Sequence, residues 1–263
     1  MNSVPHGSRP AAVLAPAPRP EAGAPLVRAQ PEPAARLRLV CFPHSGAGPA
    51  AFRRWAQLLA PGIEVWSAVL PGRATRVQEP FADRWDPLVD EFATAVTTAV
   101  PGPYALFGQS LGAMVAFEVA RELGRRGNGP VHLIAAASAA PDVRETPPVP
   151  SDDTALVEEI DRRYDGIPAE VRAVPELVRY FLPVLRADLG LAASYVYRPG
   201  PPLEIPVTVF AGDRDGTVPA AGLEGWRRHT GADCESHRLT GGHFAVTDHE
   251  DHVLNVIRRR LSG

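Results

Sequence analysis

The sequence predicts an α/β domain, a mostly parallel sheet flanked by helices and interrupted by one helical insertion. Three observations carry that expectation. From residue 36 to the C-terminal end, short apolar runs alternate with stretches of helical periodicity. Such alternation builds a parallel sheet covered on both faces. Proline- and glycine-containing turns close several of the apolar runs, and the rhythm stops once, between residues 139 and 203, before it resumes.

The elements follow in order. Leu37–Phe42 is an apolar run ended by Pro43, a first strand. A Gly-rich turn leads into a helix over about 49–59, and Glu64–Val69 is a second strand closed by Pro71-Gly72. Residues 86–100 place Leu88, Val89, Phe92 and Val96 on one helix face. Tyr104–Phe107 reads as a buried strand, 111–126 as a helix ending near Gly127, and 132–137 as a strand. The 65 residues from 139 to 203 are too many for a loop and should form a small helical insertion. Helices are expected there at 152–164, 174–186 and 187–196, with Pro183 kinking or interrupting the second. A strand at 207–211, a helix at 220–229, a strand at 234–239 and a helix at 250–261 complete the pattern.

Composition bounds the function. With 263 residues, 45% of them hydrophobic, the chain can bury a substantial core without staples. A net charge of -3 gives no general attraction to nucleic acid or to anionic membrane. All 27 basic residues are arginine, which excludes a lysine Schiff base and a P-loop lysine. Two cysteines, Cys41 and Cys234, are too few for a disulfide framework or a cysteine-rich zinc site. Eight prolines between Pro5 and Pro33 mark residues 1–35 as a disordered or polyproline-like tail, with the catalytic domain expected over 36–263. That tail does not read as a signal peptide, because Pro16 breaks its only apolar stretch, Ala11 to Ala17. No window approaches about 18 consecutive apolar residues, so no membrane span is expected and the cytoplasm is the expected setting.

The chemistry is concentrated at Gly108-Gln109-Ser110-Leu111-Gly112, which lies between a predicted strand and a predicted helix. G-x-S-x-G in that setting is the nucleophile elbow of the α/β-hydrolase fold, and the flanking glycines let neighbouring elements approach closely. A serine needs a base and an orienting carboxylate, which in this fold follow in the order acid, then histidine. Asp213 and Asp215 lie at the end of a later strand, and Asp215 is favoured as the acid because the first aspartate of such a pair more often braces the loop. His243, in the Gly-rich loop after the last strand, is the candidate base. His132, His229, His237, His249 and His252 lie on strands, a helix end or the last helix, where structural, surface or capping roles are expected. Two backbone N–H groups should form the oxyanion hole: that of Leu111, and one from the loop 43–48, with Ser45 preferred and His44 next. His44 itself should brace that loop. Gly46, Gly48 and Ala51 loosely imitate a dinucleotide fingerprint, but the next strand ends Ser67-Ala68-Val69-Leu70 without the acid a ribose would need.

Beyond the elbow, the segments Phe42-Pro43-His44-Ser45-Gly46-Ala47-Gly48, Leu70-Pro71-Gly72-Arg73, Leu185-Arg186-Ala187-Asp188, Gly212-Asp213-Arg214-Asp215 and Gly242-His243-Phe244 resemble the type II thioesterases of polyketide and nonribosomal peptide synthesis. The resemblance runs from about residue 36 to the end. It implies hydrolysis of acyl thioesters on the phosphopantetheine arm of acyl or peptidyl carrier proteins, editing stalled or aberrant groups, with Ser110 as nucleophile, Asp215 as acid and His243 as base. It implies no metal or organic cofactor, and a monomer is expected. Two departures stand out: Gln109 and Leu111 replace the His and Met common around the nucleophile, and Ala137–Pro141 lacks an arginine often found there. Other serine hydrolases, cleaving esters or lactones, are the alternative. So is the chain-releasing terminal thioesterase of a synthase, although its acid often follows the strand after the nucleophile helix, where only Asp142 offers itself. The initial methionine favours a discrete enzyme. The insertion at 139–203 is expected to act as a lid, with Val178, Phe181, Leu182 and Leu185 on one helix face and with Arg162, Arg163, Arg179 and Arg186 available to steer an acidic carrier.

Overall fold

A computed structural model describes residues 23–145, 147–167, 171 and 173–261. Its strands are β1 (Leu26–Arg28), β2 (Leu37–Phe42), β3 (Ile63–Ala68), β4 (Tyr104–Gln109), β5 (Leu133–Ala136), β6 (Val207–Gly212) and β7 (Cys234–Leu239). Among the described residues they form one sheet in the order β1-β3-β2-β4-β5-β6-β7. Every neighbouring pair is parallel except β1 with β3.

The central strands are apolar on both sides because both faces are covered. Val40, Phe42 and Leu106 point to one face, beneath α2 (Trp85–Ala99) and α3 (Leu111–Arg125), where they meet Leu88, Phe92, Val115 and Val119. Leu39, Cys41, Ala105 and Phe107 point to the other, beneath α1 (Arg53–Leu59) and α8 (Glu250–Leu261), where they meet Trp55, Leu254 and Ile257. The two-residue period of a strand divides one apolar run between two cores. β7, an edge strand, carries Glu235, Ser236, His237 and Arg238, a polar composition that discourages further pairing.

The insertion consists of α4 (Asp153–Tyr164), which Asp152 caps by accepting the Ala155 N–H at 2.9 Å, and α5 (Pro175–Ala193). Leu156, Ile160, Ile167 and Leu182 give it a small core of its own. Here the structure corrects the sequence reading: α5 is one helix where two were expected, and Pro183 lies inside it. Pro183 and Arg179, four residues earlier, are both exposed residues, and the helix forgoes the one backbone hydrogen bond that Pro183 cannot donate. Of the expected apolar face, Phe181 is instead exposed and packs edge-on against Tyr180. The helix expected at 49–59 opens as a 3-10 turn, Pro49–Phe52. The one expected at 220–229 divides into α6 (Ala220–Glu224) and a 3-10 turn, Gly225–His229. A short helix, α7 (Ala245–Asp248), precedes α8.

The expected disordered tail also needs correction. Its residues 1–22 lie outside the described residues, but β1 falls within its second half and pairs with the open edge of β3. Leu26 and Val27 are buried, and the Glu32 N–H donates to Glu64 Oε1 at 2.9 Å. Three residues among prolines are too few to show periodicity; the unpaired edge of β3 organises them. Replacing Leu26 and Val27 together by alanine should therefore lower unfolding free energy by about 3 kcal/mol or more. Urea titration of the full chain measures this, and an unstructured tail would accept both changes at no cost.

Candidate active site

β4 passes directly into α3 through Ser110, whose backbone sits at φ 56, ψ −115. A residue with a side chain adopts that region only when its surroundings impose it. Two glycines provide those surroundings. A Cβ on Gly108 would lie 2.1 Å from the Gly112 carbonyl oxygen, and one on Gly112 would lie 2.1 Å from the carbonyl oxygen of Phe42. Both contacts are to backbone, so neither glycine can carry a side chain while α3 stays against β2 and β4. Ser110 thus sits at the N-terminus of a largely buried helix, whose dipole favours negative charge developing there.

The other expected partners converge on it. His243 Nε2 lies 2.9 Å from Ser110 Oγ, and His243 Nδ1 lies 2.8 Å from Asp215 Oδ2. Because the carboxylate only accepts, Nδ1 carries the proton and Nε2 is left to accept from the serine hydroxyl. Asp215 Oδ1 accepts from the Thr217 N–H at 2.9 Å and from its hydroxyl at 2.7 Å. Burial pushes the Asp215 carboxyl up. The hydrogen bond and charge of His243 and the two bonds from Thr217 outweigh it, holding the carboxyl below its ordinary range.

Asp213 plays the other part foreseen for the pair: its Oδ1 accepts the Gly241 N–H at 2.9 Å and ties the acid loop to the histidine loop. The rival groups are occupied elsewhere. Asp142 pairs with Arg228 at 2.7 Å and with His229 at 2.8 Å. His132 meets Thr208 Oγ1 at 2.9 Å, and burial lowers it to about 4. His249 donates to the Thr240 carbonyl at 2.7 Å. Among the described residues no group of three or more His, Cys, Asp or Glu is arranged to hold a metal ion.

The backbone N–H groups of Leu111 and Ser45 donate to no protein acceptor among the described residues. His44 donates from Nδ1 to the Ser45 carbonyl at 3.0 Å and packs edge-on against Phe244, bracing the loop as expected. Gln109 and Leu111, the two departures at the elbow, are both buried. From α4 of the insertion, the Tyr164 ring lies 4.8 Å from the His243 ring. A larger hollow of about 1220 Å³ opens between Trp85, Glu118, Arg121, Tyr195 and Leu203, and none of Ser110, Asp215 and His243 lines it.

Two residues that sequence reasoning gave no role also belong here. Asp188, on α5, forms a bidentate pair with Arg73 at 2.7 and 2.5 Å, and its Oδ2 also accepts the Gly46 N–H at 2.7 Å. Arg73 donates further to the Ala47 carbonyl at 3.2 Å. Both side chains are buried. The only sequence signal was their place in two of the segments that carry the family resemblance.

With this geometry in hand, the chain is placed by its likenesses. Residues 37–261 match the thioesterase-domain family model, and the chain belongs to the thioesterase family. It is 38% identical over 241 residues to the thioesterase PikA5 of Streptomyces venezuelae, covering 89% of this chain and 84% of that one. It is 36% identical over 231 residues to the AMB antimetabolite synthetase AmbE of Pseudomonas aeruginosa, covering 86% of this chain but 11% of that much longer protein. Among solved structures it superposes on the type II thioesterase BorB from the borrelidin biosynthetic cluster with a TM-score of 0.84 and 33% identity. That match covers 92% of this chain and 99% of BorB. The family foreseen from the motifs is the family found, with the α/β-hydrolase fold expected of it.

The elbow contacts yield a stability test. Gly112→Ala should cost about 3 kcal/mol or more, since its Cβ meets backbone that cannot turn away. Gly190→Ala, inside α5 with nothing within 4 Å of the new methyl group, should instead stabilise by up to about 1 kcal/mol. Chemical denaturation of both variants measures the contrast.

Proposed function

We propose that this chain is a discrete type II thioesterase that hydrolyses acyl thioesters from the phosphopantetheine arm of carrier proteins. In doing so it would remove stalled or aberrant acyl groups from a polyketide or nonribosomal peptide synthase. The observation that carries the reading is the hydrogen-bonded series Ser110–His243–Asp215 beneath the lid, in a chain that matches BorB over nearly that protein's whole length.

The geometry suits a two-step acyl transfer. Ser110 Oγ attacks the thioester carbonyl while His243 Nε2 takes its proton, and Asp215 stabilises the imidazolium formed. The N–H groups of Leu111 and Ser45 hold the oxyanion. As it collapses the C–S bond breaks, and His243 returns the proton to the departing thiol. A water then gives a proton to His243 and attacks the acyl-serine carbonyl; the ester bond breaks and Ser110 regains its hydrogen. The residues supply base, orientation and charge stabilisation, and no cofactor enters the scheme.

The chain-releasing alternative draws on the likeness to AmbE. The position of the acid weighs against it: Asp142, after β5, is engaged with Arg228 and His229, and the carboxylate that reaches His243 comes after β6. The lid arginines give little to a carrier-steering role, since Arg162 and Arg163 pair with Glu159, Arg179 with Glu176 and Arg186 with Asp153. Docking on this reading rests on fit around the lid more than on a free basic stripe.

Ser110→Ala and His243→Ala should each lower kcat/KM on acyl-loaded carrier protein by about 10³-fold or more while leaving the melting temperature close to that of the parent. Mass spectrometry of the carrier, read across a panel of acyl groups, follows loss of the acyl mass. Full activity in Ser110→Ala, or faster turnover of simple esters than of acyl carrier, would overturn the proposal.

A further inference from the structure

The loop 43–48 must hold the Ser45 N–H where an oxyanion forms, and it lies outside the sheet ladder. Its internal restraints are a turn in which the Ala47 N–H donates to the His44 carbonyl at 3.1 Å and the His44 ring bond to the Ser45 carbonyl at 3.0 Å. Gly46, at φ +80, has a freedom that other residues lack. On both sides of Gly46 the backbone is held from outside. The peptide N–H between Ser45 and Gly46 donates to Asp188 Oδ2, and the Ala47 carbonyl accepts from Arg73 Nη1.

We propose that Arg73 and Asp188 are positioning residues for the reaction: through this buried pair the lid helix α5 sets the oxyanion loop in its working geometry. The inference rests on the thioesterase mechanism above and extends it to the lid. An ion pair that only stapled α5 to the body would need the two parallel guanidinium–carboxylate bonds and nothing else. Here Asp188 Oδ2 is shared between Arg73 and the Gly46 N–H, and Arg73 Nη1 is shared between Asp188 and the Ala47 carbonyl. Both shared atoms reach the loop. Further hydrogen bonds lower the cost of a desolvated pair; the loop's backbone supplies two, while the Arg73 Nε–H meets no acceptor among the described residues. Loop and pair therefore fix each other, and a further contact closes the arrangement. A Cβ on Gly46 would lie 2.6 Å from Leu185 Cδ2, so α5 sits directly on the loop it holds. When α5 lifts as a whole, Gly46 loses its acceptor and the Ser45 N–H its fixed direction; acylation then requires a seated lid.

The test compares Asp188→Asn, Arg73→Lys and their combination with Leu182→Ala, a lid-core variant that leaves the pair intact. Each is assayed on an acyl-N-acetylcysteamine thioester, which needs no carrier docking, and each is melted. Removing an oxyanion donor or misplacing it by about 1 Å costs about 100-fold or more in rate, so Asp188→Asn should lose about that factor in kcat with KM nearly unchanged. Arg73→Lys keeps the charge but not the fork and should lose about as much, with the double variant no worse than the poorer single one. Labelling by a fluorophosphonate, whose phosphoryl oxygen gains negative charge in the same hole as the serine oxygen bonds to phosphorus and fluoride leaves, should slow in parallel. Leu182→Ala should keep kcat even where its melting temperature falls as far. Wild-type kcat in Asp188→Asn, or an equal loss in Leu182→Ala at equal melting temperature, would overturn the proposal. Failure of the parent protein to turn over any thioester would instead overturn the functional reading beneath it.

Discussion

The contact of Gly112 with the Phe42 carbonyl governs this molecule, because it lets the first turn of α3 press against the end of β2. Holding Ser110 at a positive φ costs on the order of 1–3 kcal/mol, and only surroundings fixed from several sides can maintain it. The rest of α3 supplies that fixation. Ten of its fifteen residues are buried, and four of those, Gly112, Ala113, Ala116 and Ala120, are small enough to let α3 pack closely. The serine's exposure at the top of the sheet is thus a consequence of packing below it.

Sheet order then determines what surrounds the serine. In the series β2-β4-β5-β6-β7 all strands are parallel, so the loops after them emerge on one edge of the sheet. The loop after β2 carries Ser45, the turn after β4 carries Ser110, the loop after β6 carries Asp215 and the loop after β7 carries His243. β5 lies between the strands that lead to Ser110 and Asp215 and contributes no member of the series. Its following segment leaves for the insertion instead, which reaches the site through Tyr164. The two aspartates after β6 divide their work by position: Asp213 holds the backbone of the neighbouring loop, and Asp215 holds the ring that loop presents.

Features encoded locally were legible in the sequence. Continuous apolar runs marked β2 through β6, and the spacing of Gly108, Ser110 and Gly112 between a strand and a helix marked the elbow. Glycine-rich loops after later strands marked where Asp215 and His243 would stand. What escaped depends on partners distant in the chain. β1 has too few residues to show a period and exists because β3 offers an edge. Pro183 reads as a helix breaker in any local rule, yet α5 continues through it, held by Leu182 in the insertion's core and Leu191 in the main one. Asp188 is 142 residues from the Gly46 N–H it accepts, and Arg73 is 115 residues from Asp188, so no window of sequence joins them. Their segments were informative only as a resemblance, and the structure supplies the physical reason for their pairing.

The packing of α5 explains how the insertion can reach this site and still be tied to the body. Its first half packs with α4 through Leu182 and leaves Leu177, Tyr180 and Phe181 substantially exposed. Its second half joins both sides: Leu185 and Leu189 pack on the core shared with α4 and Arg186 pairs with Asp153, while Asp188 is bound to Arg73, Leu191 and Ala192 enter the main core, and the Leu191 carbonyl accepts the Trp85 indole N–H at 2.9 Å. Pro183 stands between the halves, where one backbone hydrogen bond is already missing. Lifting the whole helix would take Asp188 off the loop 43–48 and Leu191 out of the main core together. The burial of the Arg73–Asp188 pair opposes that movement, because separating it exposes two unpaired charges and frees two backbone groups at once.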